Sequence, residues 1–276
     1  MSYEKSVADH YLHGDLLKSI EAALPSLGKT TEDISIEDLA AVDEFHIGGR
    51  QATSSLIAKL MFSGQHHVLD VGCGLGGAAR YVADKYNNNV TGIDLSREYI
   101  ETGKALCEWL NLDKQVSLVQ GSAMSMPFED ESFDGGYMLH VGMNIEDKAK
   151  LFEEIYRVLR PRTFFGIYDV MRQTDDDLIY PVPWATDKST CKIAVSQQYK
   201  ETLSDAGFGV SKENNCRDFA LDFFKKLRKK MTIDSESPPL GLHTLMQEST
   251  GEKINNLIEN IEKGYIAPVE IIAYRY

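Results

Sequence analysis

The segment Val68–Gly77 (VLDVGCGLGG) constrains the fold of this chain more than any other, because a short apolar strand runs directly into a glycine-rich turn. Glycine has no Cβ, so the backbone of such a turn can bend tightly and come close to a ligand. The helix predicted from Ala78 to about Lys85 would point its first backbone N–H groups at whatever the turn holds. We therefore expect a small molecule to bind at this turn.

The turn fits two classes of cofactor. Gly72, Gly74 and Gly77, with Asp94 further along, satisfy the dinucleotide pattern G-x-G-x-x-G. Asp70, however, stands two residues before the first glycine. A carboxylate there would repel a pyrophosphate at the helix N-terminus and attract a cation. S-adenosylmethionine (SAM) carries an ammonium group and no phosphate, so Asp70 favours SAM over a nicotinamide dinucleotide.

The composition limits the architecture and the partners. A chain of 276 residues with 43% hydrophobic residues suits one domain with a large core. A net charge of −13 disfavours general binding to nucleic acid or to membranes. The four cysteines include no C-x-x-C pair, and no apolar run approaches the ~20 residues of a membrane span. We expect a cytoplasmic protein with a small-molecule partner, no nucleic acid and no stable membrane association.

From residue 67 onward, strands and helices alternate along the chain. This alternation predicts an α/β fold with a doubly wound, mostly parallel seven-stranded sheet, whose ligands bind at the C-terminal ends of the strands. Strands are predicted at 67–71, 89–93, 116–120, 134–139, 164–169, 208–215 and 269–275, and helices at 78–86, 97–110, 146–159 and 196–206.

Other segments stand outside this alternation. Residues 1–60 are predicted as an N-terminal helical extension or lid, ahead of a cofactor-binding domain over 61–276. An irregular loop over 171–195 and a helical insert over about 217–266 are long enough to act as binding elements on the substrate side. Within the extension, helices are predicted at 5–24 and 53–61, with a loop at 43–50 between them.

Candidate cofactor contacts follow the predicted strands. Asp94, with Leu95 beside it, follows the second strand, where a carboxylate can accept both hydroxyls of a ribose. Asp94 could instead cap the next helix, although Ser96 is better placed for that. Ser122 and Ala123 follow the third strand, where a small polar side chain and free N–H groups can read an adenine edge. The alternative for this pair is an ordinary turn.

The fourth strand ends at Leu139 and His140. A lone histidine is more often structural, but this position faces the expected cofactor. We therefore predict a cofactor contact for Leu139, and a substrate-binding or catalytic role for His140.

Taken together, these motifs resemble the class I SAM-dependent methyltransferases over about residues 60–275. The resemblance implies their Rossmann-like methyltransferase fold, SAM as the methyl donor and S-adenosylhomocysteine as the product. Arg162 and Thr163 depart from the two glycines common after the family's Leu-x-Pro, in a turn that is structural. The motifs are Val68–Gly77, Gly92–Asp94, Gly121–Ala123, Ser132–Asp134 and Val158–Pro161.

Within that class the chain looks most like the methyltransferases of phosphoethanolamine and of sarcosine or dimethylglycine. The segment Phe45–Thr53 is similar to a Ser-Gly-Gly-x-x-Ala-Thr segment that covers the cofactor there. The resemblance implies cofactor contacts for Gly48 and Gly49 and a ligand contact for His46. It also implies that His140 pairs with a tyrosine near the N-terminus, for which Tyr11 is the candidate; the alternative for Tyr11 is an aromatic that packs between helices.

Trp184 closes the sequence Pro-Val-Pro-Trp in the long loop. Its ring could hold a methylated ammonium group by cation–π contact, or it could be a core tryptophan. We predict a SAM-dependent methyltransferase acting on a small molecule, with an amine nitrogen as the leading acceptor. Carbon or oxygen of a sterol- or quinone-type molecule is the alternative, and a nicotinamide-dependent oxidoreductase or a binding protein without activity are the other classes. No metal is expected, and the oligomeric state is left open, with a homodimer as one option.

Overall fold

The computed structural model describes residues 3–233 and 238–276. In these residues a single seven-stranded sheet has the order β3-β2-β1-β4-β5-β7-β6. The first five strands run parallel, and β7 runs antiparallel to both β5 and β6. The predicted mostly parallel α/β sheet is therefore confirmed. The strands are β1 His67–Val71, β2 Asn89–Asp94, β3 Val116–Gln120, β4 Gly136–Leu139, β5 Thr163–Arg172, β6 Phe208–Asn215 and β7 Ile266–Arg275.

Helices cover both faces of the sheet and build two large apolar clusters, one against each face. Among the described residues, no helix has the length and apolar character needed to cross a membrane. The helices are α1 Tyr3–His10, α2 Leu16–Ala23, α3 Ile36–Asp43, α4 Gly49–Ile57, α5 Gly77–Tyr86, α6 Arg97–Trp109, α7 Lys148–Val158, α8 Ser196–Asp205, α9 Arg217–Ile233, α10 Leu242–Met246 and α11 Thr250–Glu262. The last three lie between β6 and β7.

The N-terminal region differs from the sequence prediction of one helix over 5–24. The structure has two helices, α1 and α2, separated by a bend in which Gly14 has φ +101°. The carboxylate of Glu98, on α6, accepts backbone N–H bonds from His13, Gly14 and Leu16 at 2.6–3.1 Å. These bonds satisfy donors at the start of α2 that a continuous helix would have satisfied internally.

Helix α4 begins earlier than predicted, at Gly49 instead of residue 53. Its N-cap, Gly48, has φ +91°, and a Cβ at this position would lie 2.5 Å from the ring of Phe219 on α9. Only glycine fits both the left-handed backbone and the close approach of the insert. The expected loop over 43–50 is correspondingly shorter.

A buried ion pair ties the N-terminal region to the glycine turn. The Arg80 guanidinium lies 2.5 Å from the Asp43 carboxylate at the end of α3, and both side chains are completely buried. Arg80 also donates to the carbonyls of Leu75, in the turn, and Gly103, on α6, at 2.7 and 3.3 Å. Arg80 therefore fixes α3, the turn and α6 relative to one another.

Replacing Arg80 with methionine is expected to lower the free energy of unfolding by about 3–5 kcal/mol, because it leaves the Asp43 carboxylate buried without a counter-charge. Adding Asp43→Asn to Arg80→Met should recover part of that loss, since a neutral amide needs no such partner. Urea unfolding of the single and double variants measures both effects.

Arg97→Met is the matched control, since its pair with Glu101 is exposed and should contribute little. If the losses of unfolding free energy in Arg80→Met and Asp43→Asn simply added in the double variant, the coupling between Arg80 and Asp43 would be absent.

Candidate functional site

A cavity of about 1650 Å³ lies at the C-terminal ends of the parallel strands, and apolar atoms form most of its wall. The structure brings all the candidate residues named from the sequence to this one cavity. They are Tyr11, His46, Gly48, Gly49, Asp70, Gly72, Gly74, Asp94, Leu95, Ser122, Ala123, Leu139, His140 and Trp184.

The glycine turn needs glycine for two reasons. Gly72 and Gly74 have φ +68° and +53°, in the left-handed region that other residues seldom occupy. A Cβ at Gly72 would also lie 2.4 Å from the Val141 side chain. The N-cap of α5 is a third left-handed residue, Gly76, which the sequence pattern did not single out.

Asp94 ends β2 and points at the turn. One of its oxygens accepts the backbone N–H of Gly74 at 2.9 Å, and the other accepts that of Ser96 at 2.8 Å. The helix cap is Ser96, whose Oγ accepts the N–H of Tyr99, so the alternative role for Asp94 as the cap is wrong. A carboxylate has about four lone-pair sites, which leaves both oxygens able to accept two further hydroxyl groups.

Asp70 lies deeper, near the end of β1, and is 2% exposed. Its carboxyl accepts one hydrogen bond, from the Tyr137 hydroxyl at 3.1 Å. Burial raises the pKa of Asp70 to about 8; the Tyr137 bond opposes this rise, and the charges of Asp94 and Glu44 add to it. A cation bound nearby would stabilise the ionised forms of these neighbouring carboxyl groups.

His140 lies at the opposite side of the turn from Asp94 in the strand order, at the end of β4. Its ring stacks on Tyr168, with ring centroids 5.4 Å apart, and meets the edge of His46 at 5.9 Å. The Nε2 atom of His140 is buried without a hydrogen-bond partner in the described part of the chain. Burial, with His46 beside it, holds the pKa of His140 well below its usual value, so the ring is neutral.

His46 is also neutral, because burial lowers its pKa to about 4. Its Nε2 lies 3.1 Å from the Gly49 carbonyl and 3.0 Å from the Thr53 hydroxyl, so protein groups already occupy this nitrogen. Thr53 and Arg50 both donate to the buried carboxylate of Glu44. Sequence reasoning missed Glu44, because only the fold brings α4 back over it.

Tyr11 does not pair with His140. Its hydroxyl donates to Asn144 Oδ1 at 2.8 Å, and the Asn144 amide donates to the Trp184 carbonyl at 3.0 Å. Asn144, in the loop after β4, was missed because nothing in the local sequence marks it. Trp184 is 2% exposed, and its indole N–H points at Cys191 Sγ, so most of the ring packs into the core beneath the cavity.

Helix α1 covers the third strand end. The Ser122 hydroxyl donates to the Glu4 carboxylate and accepts the N–H of Met124 at 3.1 Å. The Tyr3 hydroxyl, one residue earlier, donates to the Asn144 carbonyl at 2.8 Å. The N-terminal helix thus touches the cavity wall at two strand ends, through Tyr3 and Glu4, which the sequence analysis did not single out.

The insert and the N-terminal region supply much of the remaining wall. The apolar side chains that the insert contributes to the wall include Phe223, Phe224, Leu227, Ile254 and Leu257.

Comparison with known proteins gives a consistent picture. The family of methyltransferase domains matches residues 69–167. The chain is 31% identical over 206 residues to the O-methyltransferase resE of Aspergillus sclerotiorum, an alignment that covers 72% of this chain and 76% of that protein. It extends well beyond the residues that the family model matches.

Solved structures share the fold. The chain aligns with geranyl diphosphate C-methyltransferase from Streptomyces coelicolor, with a TM-score of 0.73 and 18% identity, over 100% of this chain and 99% of that one. It also aligns with phosphoethanolamine N-methyltransferase 2 of Haemonchus contortus, with a TM-score of 0.71 and 20% identity, over 92% of this chain and 59% of that one. The S. coelicolor enzyme was solved with S-adenosylhomocysteine and the H. contortus enzyme with SAM. At this identity the likeness extends to the fold, and the predicted closeness to the phosphoethanolamine group stays a prediction.

The buried Asp70 is expected to make stability depend on pH. The folded state keeps its proton up to about pH 8, whereas the unfolded carboxyl ionises near 3.8. The stabilisation is therefore complete below the unfolded pKa and is lost as the pH rises through the folded pKa. Asp70→Asn cannot ionise, so its free energy of unfolding, relative to that of the wild type, should increase between about pH 5 and pH 8.

Urea unfolding of both proteins at the two pH values measures this change. A difference between variant and wild type that stays constant would mean that Asp70 is ionised in the folded protein.

Proposed function

The chain belongs to the SAM-dependent methyltransferases, and from that premise we propose that it methylates an oxygen atom of a bulky, mainly apolar organic molecule. The observation that carries the proposal is the cavity of about 1650 Å³, whose wall is mainly apolar and includes two neutral histidines.

The residues at the glycine turn fit SAM. The oxygens of Asp94 have free acceptor sites for the two ribose hydroxyls, and the desolvated carboxyl of Asp70 suits the ammonium group. The left-handed turn at Gly72 and Gly74 allows the backbone to approach the ligand. When bound, SAM supplies an electrophilic methyl group whose leaving group departs as a neutral thioether.

Other wall residues are assigned supporting roles in the same proposal. Tyr11 positions Asn144, and the extension 1–60 acts as a lid on the domain 61–276. Trp184 contributes a wall of the acceptor side, and His46 orients the His140 ring. Cofactor contacts are assigned to Leu95, Ser122, Ala123, Leu139, Gly48 and Gly49.

An uncharged acceptor group suits the part of the cavity beside His140 better than a charged amine. The insert provides apolar contacts through Phe224 and Leu257, and a large apolar ligand gains free energy by leaving water there. An ammonium group beside the two histidines would need a free carboxylate, yet the carboxylate next to His46, that of Glu44, is already bound by Arg50 and Thr53. The cost of burying an unpaired charge therefore opposes a charged amine.

His140 is suited to take the proton of an acceptor hydroxyl. Its ring is neutral, so it has a nitrogen lone pair available, and its Nε2 has no partner among the described residues. Stacking on Tyr168 fixes the plane of the ring. Removing the hydroxyl proton as the methyl arrives would leave a neutral ether, and holding the hydroxyl in line supplies the rest of the rate gain.

The relatives support an oxygen acceptor in part. The alignment with resE, an O-methyltransferase, covers regions outside the family model and so includes parts of the acceptor side. Amine and carbon acceptors, the latter named for the S. coelicolor enzyme, stay alternatives. The cytoplasmic location also stays a prediction.

A panel of matched apolar acceptors tests the acceptor atom. Each set offers the same carbon skeleton with a hydroxyl, an amine or an alkene, together with SAM labelled in its methyl group. We expect the label on oxygen, found by mass spectrometry of the product. Label on nitrogen or on carbon instead would replace the proposal with the corresponding alternative.

Two substitutions should separate binding of the donor from transfer. Asp94→Ala is expected to weaken SAM binding at least about tenfold, because it removes acceptors of two hydroxyl hydrogen bonds. His140→Ala should leave SAM affinity nearly unchanged and lower turnover at least about tenfold. Calorimetry and a methyl-transfer assay give the two quantities.

Asp113→Ala and His66→Ala are matched controls outside the cavity wall and should change neither quantity. Normal turnover in His140→Ala would remove His140 from the mechanism, and normal SAM affinity in Asp94→Ala would remove the ribose assignment.

A further inference from the structure

A second, smaller pocket of about 190 Å³ adjoins the large cavity. The two share part of their walls, among them Tyr11, Tyr99 and Pro183. The rest of the small pocket is formed by α1, through His10, and by the segment from α10 to α11, through Lys253. It therefore lies where the N-terminal region, the long loop after β5 and the insert meet.

The chemistry of this pocket is unusual for this protein. The chain has 42 aspartates and glutamates, yet the described wall of the pocket has neither. Its polar groups include the Lys253 ammonium and the Gln247 amide, which can donate hydrogen bonds, whereas His10 and Ser249 already bond to the carbonyls of Pro183 and Met246. A small space lined by donors and a cation, with no carboxylate, is complementary to an anion.

Lys253 is the least satisfied group in it. The side chain is half-buried, and it has no hydrogen bond or ion pair within the described part of the chain. Other lysines that lose water here find partners: Lys59 pairs with Glu270, and Lys148 donates to three carbonyls. Burial lowers the pKa of Lys253, because the ammonium group loses hydration and gains no partner among the described residues.

His10 lines the pocket together with Lys253. Its Nε2 lies 3.0 Å from the Pro183 carbonyl, which orients the ring. Burial lowers the pKa of His10, with Lys253 nearby adding to the effect. A bound anion would reverse this effect, because it would compensate both groups at once.

We propose that Lys253 and His10 form an anion-binding subsite for a carboxylate or phosphate group. One source of the anion rests on the proposed function: the apolar acceptor in the large cavity carries the carboxylate or phosphate group, and the subsite orients the acceptor through it. A free anion is the other source of the same chemistry.

Octanoate and octanol are suitable probes, since they share an apolar chain and differ in the charged group. The wild-type protein should bind octanoate at least about tenfold more tightly than octanol, by calorimetry, because one charge-assisted contact is worth that factor. Lys253→Gln should lose this preference while its affinity for octanol stays the same. Lys263→Gln is the matched control and should keep the preference. Lys263 lies just beyond the end of the same helix, and its exposed side chain pairs with Glu259.

The outcomes separate this proposal from the function on which it rests. Equal binding of the two probes to the wild type, with no stabilisation by inorganic phosphate, would overturn the subsite and leave the apolar cavity as proposed. Failure of both probes to bind would overturn the acceptor-borne form together with the apolar acceptor. Thermal stabilisation by inorganic phosphate that is lost in Lys253→Gln supports the subsite with a free anion as its source, whatever the two probes do.

Discussion

The buried ion pair between Arg80 and Asp43 is the interaction on which the rest of the site depends. Arg80 belongs to the helix that follows the glycine turn, and Asp43 ends the helix that leads into the segment Glu44–Gly49. A Cβ at Gly77 would lie 2.5 Å from Asp43, so the pair also requires glycine at the start of α5. Because both charges are completely buried, neither can be moved without leaving the other uncompensated. The glycine turn and the segment Glu44–Gly49 are thereby held as one unit.

Burial acts on the ionisable groups of both sides of the large cavity, the carboxyls at the turn and the histidines at β4. Burial makes ionisation costly everywhere in it, but the effect depends on the group. At the turn it raises the pKa values of Asp70 and Asp94, and a cation bound there would favour their ionised forms. At β4 it lowers the pKa values of His140 and His46, which keeps that side neutral. Burial therefore leaves carboxyls at the turn that a cationic donor would compensate, and neutral rings at β4 that suit an uncharged acceptor group.

Sequence reasoning succeeded where the determining interactions are local. The seven strands follow from apolar runs and the turns between them, and Ser96 was distinguished from Asp94 as a helix cap by its position alone. It failed where the partner lies far along the chain. The break between α1 and α2 depends on Glu98, more than 80 residues away. Likewise, the resemblance predicts a pair between Tyr11 and His140, whereas the fold places Asn144 within hydrogen-bonding distance of the Tyr11 hydroxyl.

This division between local and distant determinants also explains why the donor is easier to identify than the acceptor. The residues that the family model matches, 69–167, contain the turn and Asp94, the part of the wall suited to SAM, and also His140. The apolar wall from Phe223 to Ile258 and the covering helix α1 lie outside that range. A shared fold fixes the position of a site, while its specificity depends on the side chains grafted around it. Under the proposed function, the residues that select the acceptor lie in the N-terminal helices and the insert, where Lys253 is half-buried without a protein partner among the described residues.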